Sequence, residues 1–244
     1  MSFINNILNK FVKDNRYSFQ LTDGEDRFLG VDIGNFSIKL AELSKEKNKI
    51  EALVLDEIVI HEDKKKTTTD DEISKMLSIL VTRNNIRTKK AIFSIGNAFT
   101  NYAIVTLPKI KDKEVLKYIE LNFEDFLPVR LKEVYLEWKI LEKDKDSLKV
   151  LLIAVNRDIV LRYKKIAQNA KLNFYSYETE ANALINSLID RKEKEYNTIL
   201  LDVRMKNSSL SLAKNGNVIK SSSLDLSVNY FDKKIKNEAK EDKR

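Results

Sequence analysis

The chain has no cysteine and one histidine, His61, among its 244 residues. The first absence removes disulfides, thiolate metal sites and a cysteine nucleophile, and it fits a reducing compartment. The second removes a histidine cluster for zinc and the commonest general base. Proline occurs twice and glycine five times, so where the glycines fall carries information. No stretch approaches the ~18 consecutive apolar residues of a membrane span. The N-terminus has neither a long apolar core nor a small-residue cleavage site, so a secretory signal is not expected. A Walker loop, a Ser-His-Asp set and metal-ligand spacing are also missing.

What is present is a core-forming composition, 43% hydrophobic and 33% charged, with charges and apolar residues interspersed. That suffices for one large domain or two small ones. The formal net charge of +7 arises from 44 basic and 37 acidic residues. The basic residues are scattered, and their densest cluster, Lys64 to Lys66, lies in a polar stretch. Nucleic acid is therefore not expected. A solvated surface is the simpler account, and a peripheral contact with an anionic membrane surface is the other.

Residues 28 to 43 carry the most information. An apolar run (Phe28, Leu29, Val31, Ile33) surrounds Asp32, which is flanked by Gly30 and Gly34. Asn35 and Ser37 follow, then a second run with Ile38, Leu40 and Leu43. The pattern predicts a buried strand, a tight turn and a returning strand, with a carboxylate at the mouth of the turn. Such a turn can offer backbone N–H groups to a phosphate while the aspartate holds a hydrated Mg²⁺. An aspartate that merely stabilises its own hairpin turn accounts for the residues equally well.

Along the chain, residues 2 to 13 place Phe3, Ile4, Ile7, Leu8 and Phe11 on one helical face, and residues 14 to 26 read as a polar linker. Strands are expected at 28–33, 37–43 and 50–60, and a loop over 62–70. A helix follows, capped by Asp70 or Asp71 and running to Val81. Further strands are expected at 91–95, 100–107, 133–141, 148–155 and 172–177. Helices are expected over 112–126, from Asp158 to Ala170, and over 180–189. A hairpin at 198–203 and 208–213 turns through Asn215-Gly216 into a strand at 217–224. The tail from 232 onward, with Ile235 and Ala239 its clearly apolar residues, is expected to fray. In this order one block interrupts another, which predicts a domain inserted into a sheet-and-helix domain.

Asp202 repeats the arrangement of Asp32, an apolar strand (Ile199 to Leu201) ending in an aspartate and a turn. A second phosphate turn would need glycine two residues later, where this chain has Arg204, whose side chain crowds a backbone approach. Glu178 and Glu180 lie between a strand and a helix, where dipole compensation at the helix start is favoured over a water-orienting carboxylate. Lys39 can donate to phosphate or face solvent from its strand. Tyr118, Phe123, Phe126 and Trp138 are read as core rather than as a stacking platform for bases, because the helical ones share a buried face.

With those residues in place the chain resembles the PilM family of type IV pilus assembly proteins. The run Gly30 to Leu43, then Ala91 to Gly96, Thr106-Leu107-Pro108, Ile119 to Arg130, Leu151 to Asn156 and Glu178 to Ala181 follow the family order. The resemblance spans about residues 26 to 226, and the implied architecture is similar to that of FtsA and, more distantly, of the cytoplasmic part of GspL. It implies a mixed α/β fold with an actin-like, ribonuclease H-like first lobe, an inserted subdomain and a truncated second lobe. The implied divisions are 1–25 (amphipathic segment and linker), 26–90 with 157–195 (first subdomain), 91–156 (inserted subdomain), 196–230 (partial second lobe) and 231–244 (charged tail). It implies ATP and Mg²⁺ between the lobes, with Asp32, Gly34, Asn35 and Ser37 on matching positions and Asp202 matching in part. Asp32 would hold Mg²⁺ through water. No residue matches the adenine site, and Arg204 replaces a glycine, so nucleotide binding is expected to be impaired or absent. The implied partners are the cytoplasmic N-terminal peptide of a PilN-like inner-membrane protein and the pilus motor ATPase complex, with the chain cytoplasmic and peripheral to the membrane. The expected role is a scaffold, not an enzyme, of a pilus or type II secretion platform. An ATP/Mg²⁺ switch or weak ATPase and an FtsA-like membrane tether are the alternatives.

Overall fold

A computed structural model describes residues 27–46, 49–60, 68–189 and 196–241. The amphipathic segment at 2–13, the linker after it, the Lys64 to Lys66 cluster and His61 lie outside the described residues.

The largest sheet has five strands in the order β3-β2-β1-β4-β8. Its hairpin is β1 (Arg27–Ile33) against β2 (Ser37–Glu46), with β3 (Lys49–Val59) alongside. Next to β1 runs β4 (Lys90–Ile95), parallel, and next to β4 runs β8 (Asn173–Thr179), also parallel. Between β4 and β8 the chain builds a separate antiparallel sheet, β5-β7-β6, from β5 (Thr100–Pro108), β6 (Val134–Lys143) and β7 (Ser147–Asn156). A third antiparallel sheet is the meander β9 (Asn197–Val203), β10 (Ser208–Lys214) and β11 (Asn217–Leu224). Its second turn places Asn215 at φ 50° and Gly216 at φ 70°, the left-handed pair that a two-residue hairpin turn requires.

The apolar run in β7 has a physical reason, since this strand is central in its sheet and buried on both faces. Val150, Leu152 and Ala154 join a core with Val115 and Ile119 of α2 (Asp112–Leu121) and Phe123 of the short α3 (Phe123–Phe126). Leu151, Ile153 and Val155 join the other core with Leu29, Val31 and Phe93. That second core is closed by α1 (Asp70–Arg83) and α4 (Arg157–Asn169) through Leu77, Leu80, Tyr163 and Ile166. One strand thus glues the inserted sheet to the five-stranded one. Tyr118, Phe126 and Trp138 pack against the α2 core, as the helical spacing predicts.

Three expectations are corrected. The helix expected over 112–126 breaks at Asn122, whose backbone leaves helical geometry (φ −117°, ψ 17°) and whose side-chain amide donates to the Tyr118 carbonyl at 2.8 Å. The caps expected at Asp70 or Asp71 and at Asp158 fall one or two residues earlier, on Thr69 and Asn156. The frayed tail is instead α6 (Val228–Glu241), begun by the Ser227 hydroxyl accepting from the Tyr230 N–H at 3.1 Å. Val228, Phe231 and Ile235 fall at helical spacing, which is evident only when the segment is read from 228.

Thr69 forms a capping box with Glu72: its hydroxyl accepts from the Glu72 N–H at 3.3 Å, and the Glu72 carboxylate accepts from the Thr69 N–H at 2.8 Å. Thr69→Ala should cost about 1 kcal/mol, a fall of roughly 2–4 °C in thermal midpoint. Thermal unfolding by circular dichroism checks this.

Candidate functional site

The carboxyl ends of β1, β4, β8 and β9 bring together residues that are far apart in sequence. Asp32 is the penultimate residue of β1, and its register partners are Lys39 on β2 and Ser94 on β4. Gly34 closes the turn by donating its N–H to the Ser37 carbonyl at 3.0 Å. A Cβ at Gly34 would lie 3.2 Å from that same carbonyl oxygen, so glycine fits the tight turn. Asn35 is exposed, and its carbonyl accepts from Lys206 Nζ at 3.0 Å. Ser37 is buried, with its hydroxyl 3.5 Å from the Glu57 carboxylate. Lys39 faces solvent.

From the other side, Asp202 near the end of β9 meets Arg204. Arg204 Nε donates to the Asp202 carboxylate at 2.6 Å. The same guanidinium pairs with Glu180, the first residue of α5 (Glu180–Leu188), and stands 3.7 Å from the Asp32 carboxylate. Thr179 is the residue that caps α5, so Glu180 does more than compensate the helix dipole. Its carboxylate also accepts from the Asn97 N–H at 3.4 Å. Burial pushes the Glu180 carboxyl up, and Arg204 pulls it back down. The arginine itself stays charged, because the pull of its carboxylate partners outweighs the cost of burial. Asn97 is 8% exposed, and neither its side-chain amide nitrogen nor its side-chain oxygen has a hydrogen-bond partner. Sequence reasoning placed Asp32 and Asp202 in matching turns. It raised Glu180 as a water-orienting carboxylate but favoured dipole compensation, and it missed Asn97, for which the Gly96-Asn97 pair at the end of β4 was the available signal. Among the described residues, no group of three or more His, Cys, Asp or Glu side chains is placed to hold a metal ion.

A second feature lies where side chains of two terminal strands touch. Strand β8 is the terminal strand of the five-stranded sheet, and β6 is a terminal strand of its own. They approach at Tyr135 and Tyr177, whose ring centroids are 6.4 Å apart. The Tyr177 hydroxyl lies beside the Glu137 carboxylate, and partial desolvation pushes both groups up. Arg157 lies over the Tyr135 ring, 5.0 Å from its centroid. Next to Tyr177, burial raises the Glu178 carboxyl, against hydrogen bonds from the Thr179 N–H at 2.8 Å and Asn182 Nδ2 at 3.2 Å.

The sign of the Glu178 effect is definite. A carboxyl whose folded value lies above its unfolded value of about 4.5 favours the native state below that value. The contribution is lost as pH rises through the folded value. Glu178→Gln keeps an oxygen to accept both bonds and removes the buried charge. It should raise the thermal midpoint at pH 7 and leave it nearly unchanged at pH 4. A lower midpoint at pH 7 would contradict the burial of this group.

Among the described residues, no helix is long and apolar enough to cross a membrane. A search of curated proteins found no match. Among solved structures, the PilM-PilN type IV pilus biogenesis complex matches with a TM-score of 0.67 and 18% identity, over 83% of this chain and 62% of that one. The cytoplasmic domain of EpsL, an inner-membrane component of the type II secretion system of Vibrio cholerae, matches with a TM-score of 0.51 and 12% identity, over 82% and 71%. At these identities the likeness is one of fold, and this chain spans under two thirds of the PilM chain it matches. The family described as type IV pilus assembly protein PilM matches residues 30–236, and by that match the chain, with its mixed α/β architecture, belongs to the PilM family.

Proposed function

We propose that this chain is a scaffold of a type IV pilus assembly platform, working on the cytoplasmic face of the inner membrane. In this reading it captures the N-terminal peptide of a PilN-like protein in extended form. The supporting observation is that the terminal strands β6 and β8 touch through Tyr135, Tyr177 and Glu137. A terminal strand offers unpaired backbone N–H and C=O groups to an added strand, and pockets beside it read alternate side chains. The aromatic rings give such a peptide rigid apolar walls, and the Glu137 carboxyl suits a basic or amide-bearing side chain.

The residues at the β1–β9 cleft do not fit a Mg²⁺-bound triphosphate. Arg204 already spans Asp32, Glu180 and Asp202, and it stands where a second glycine turn would offer backbone N–H groups. Three carboxylates around one guanidinium leave an excess of negative charge, which repels a polyphosphate. The scaffold reading therefore has no catalytic residue in it, and the ATP switch is disfavoured by this one side chain. The likeness to EpsL supports the type II secretion variant of the same role.

Fluorescence anisotropy of the labelled N-terminal peptide of the neighbouring PilN-like protein tests the main reading. Saturable binding by the intact chain is expected. A flat titration at concentrations up to about 1 mM, a gain of only about 4 kcal/mol, would contradict it.

A further inference from the structure

The five-stranded sheet buries one of its two faces. Leu29, Val31 and Phe93 lie on the face that α1 and α4 close. On the opposite face the strand register lines up Ile92, Gly30, Ala41 and Leu55 across β4, β1, β2 and β3. Beside that row the Phe28 and Tyr175 rings meet edge-on at 5.9 Å. Leu55 is 54% exposed and Tyr175 40%, and Phe28 and Ile92 are half-buried. Among the described residues none of these six joins a buried core. Parallel strands such as β1, β4 and β8 are ordinarily covered on both faces, so this face calls for a second layer.

Gly30 and Ala41 make the middle of the row a trough. Among the described residues, a Cβ at Gly30 would meet Ala41 alone, its oxygen at 3.8 Å and its Cβ at 4.0 Å, so the space above the glycine is open. A glycine inside a strand fits the close approach of another element. The same chain carries an apolar surface of the matching kind. Residues 2 to 13 place Phe3, Ile4, Ile7, Leu8 and Phe11 on one side at helical spacing. They are tethered next to the trough, because the chain enters β1 at Arg27, one residue before Phe28.

The geometry points to this N-terminal segment as the cover of the open face: residues 2 to 13 lie across β4, β1, β2 and β3 with their apolar side in the trough. As a helix the segment is about 18 Å long, close to the ~19 Å width of five strands. Residues 14 to 26 reach up to about 45 Å when extended, ample for the return. A tether of this kind sets an effective concentration on the order of 1 mM, which favours the chain's own segment over a second copy. Charge speaks against an anionic membrane as the occupant. Residues 1 to 26 hold Lys10, Lys13 and Arg16 against Asp14, Asp23, Glu25 and Asp26, and the polar side of the segment carries Asn5, Asn6 and Asn9. Helices that bind anionic lipid surfaces have a polar face rich in lysine and arginine. This cover is independent of the peptide-binding reading, which concerns the terminal strands β6 and β8.

The test uses the absence of cysteine. Asn9→Cys gives the intact chain one labelling site, opposite the apolar side of the segment, for a nitroxide read by electron paramagnetic resonance. A restricted-motion spectrum is expected, unchanged by dilution and by vesicles of anionic phospholipid. Ala41→Arg puts a long charged side chain into the trough and should convert that spectrum to the fast-motion form. Should Ala41→Arg fail to fold by circular dichroism, Leu55→Arg, at an exposed position of the terminal strand β3, carries the same expectation. A fast-motion spectrum without either arginine, or restricted motion that persists in a folded arginine variant, would overturn the proposal. So would restriction lost on dilution, which means a second copy, or restriction seen only with vesicles, which means a membrane surface.

Discussion

Tyr177→Ala is expected to weaken binding of the PilN-like peptide by about 30-fold or more, the change that follows from the loss of about 2 kcal/mol when a central aromatic anchor is truncated. Tyr177 is the β8 residue whose side chain touches β6. Its ring faces Tyr135 across 6.4 Å, and its hydroxyl lies beside the Glu137 carboxyl. Truncation removes an apolar wall and leaves Glu137 without that neighbour. Both losses fall on a peptide lying along β6 and β8. Tyr177 is partly buried against the core of the five-stranded sheet, so the substitution also costs stability. The binding titration is therefore run on protein shown to be folded. Tyr177→Phe separates the two contributions: it keeps the wall and removes the hydroxyl, and a much smaller loss is expected. Equal affinities for the alanine variant and the unaltered chain would place the peptide elsewhere.

Phe93→Ala should destabilise the chain by about 3–5 kcal/mol. Phe93 lies on β4, between β1 and β8, and is fully buried. Its ring stacks on Phe174 at 5.3 Å and leans on Tyr163 at 5.8 Å. The neighbours come from a strand on one side and from α4 on the other, so the cavity cannot collapse by moving a single side chain. Against a total of roughly 5–15 kcal/mol for a folded protein, this is enough to bring the five-stranded sheet close to unfolding. The thermal midpoint should fall by roughly 6–20 °C for a chain of this length. Leu121, 75% exposed at the end of α2, is the control, and its change to alanine should stay within about 0.5 kcal/mol. A fall of less than about 2 °C for Phe93→Ala would mean that this ring is not the centre of the core.

The sequence made the strands legible wherever burial is one-sided or complete. Alternation marks β1 and β5, and the unbroken run from Leu148 to Val155 marks a central strand. Boundaries were less legible where side chains compete for backbone groups. The Thr69-x-x-Glu72 box was hidden inside a polar tract whose aspartates are equally good caps, and Asn122 breaks α2 through a bond to a carbonyl four residues back. At the cleft, Asp32 and Asp202 could be read because each ends an apolar run. Arg204 could be read only as an obstacle. That it is also the common partner of three carboxylates depends on β9, α5 and β1 ending at the same place, a long-range property that no local pattern encodes. The same holds for Glu180, which looks like any acidic residue in the first turn of a helix.

The sheets also differ in what they leave exposed. In β10 the serines Ser209 and Ser211 point inward, and Leu210 and Leu212 point outward, beside Ile199 and Leu201 of β9. Small inward residues allow α5 to approach the meander closely through Ala181 and Ile185. The β9–β11 sheet is therefore held by α5, by β5 of the inserted sheet through Tyr102, and by the Arg204 cluster, in contrast to β7, which is buried on both faces.

Hydrogen exchange of the intact chain, measured with and without the N-terminal peptide of the neighbouring PilN-like protein, tests the central claim most directly. The account predicts slower exchange at backbone amides of β6 and β8, residues 134–143 and 173–179, and unchanged exchange over β9 to β11, because an added strand protects the edges it pairs with. No protection anywhere, or protection confined to residues 197–224, would contradict it.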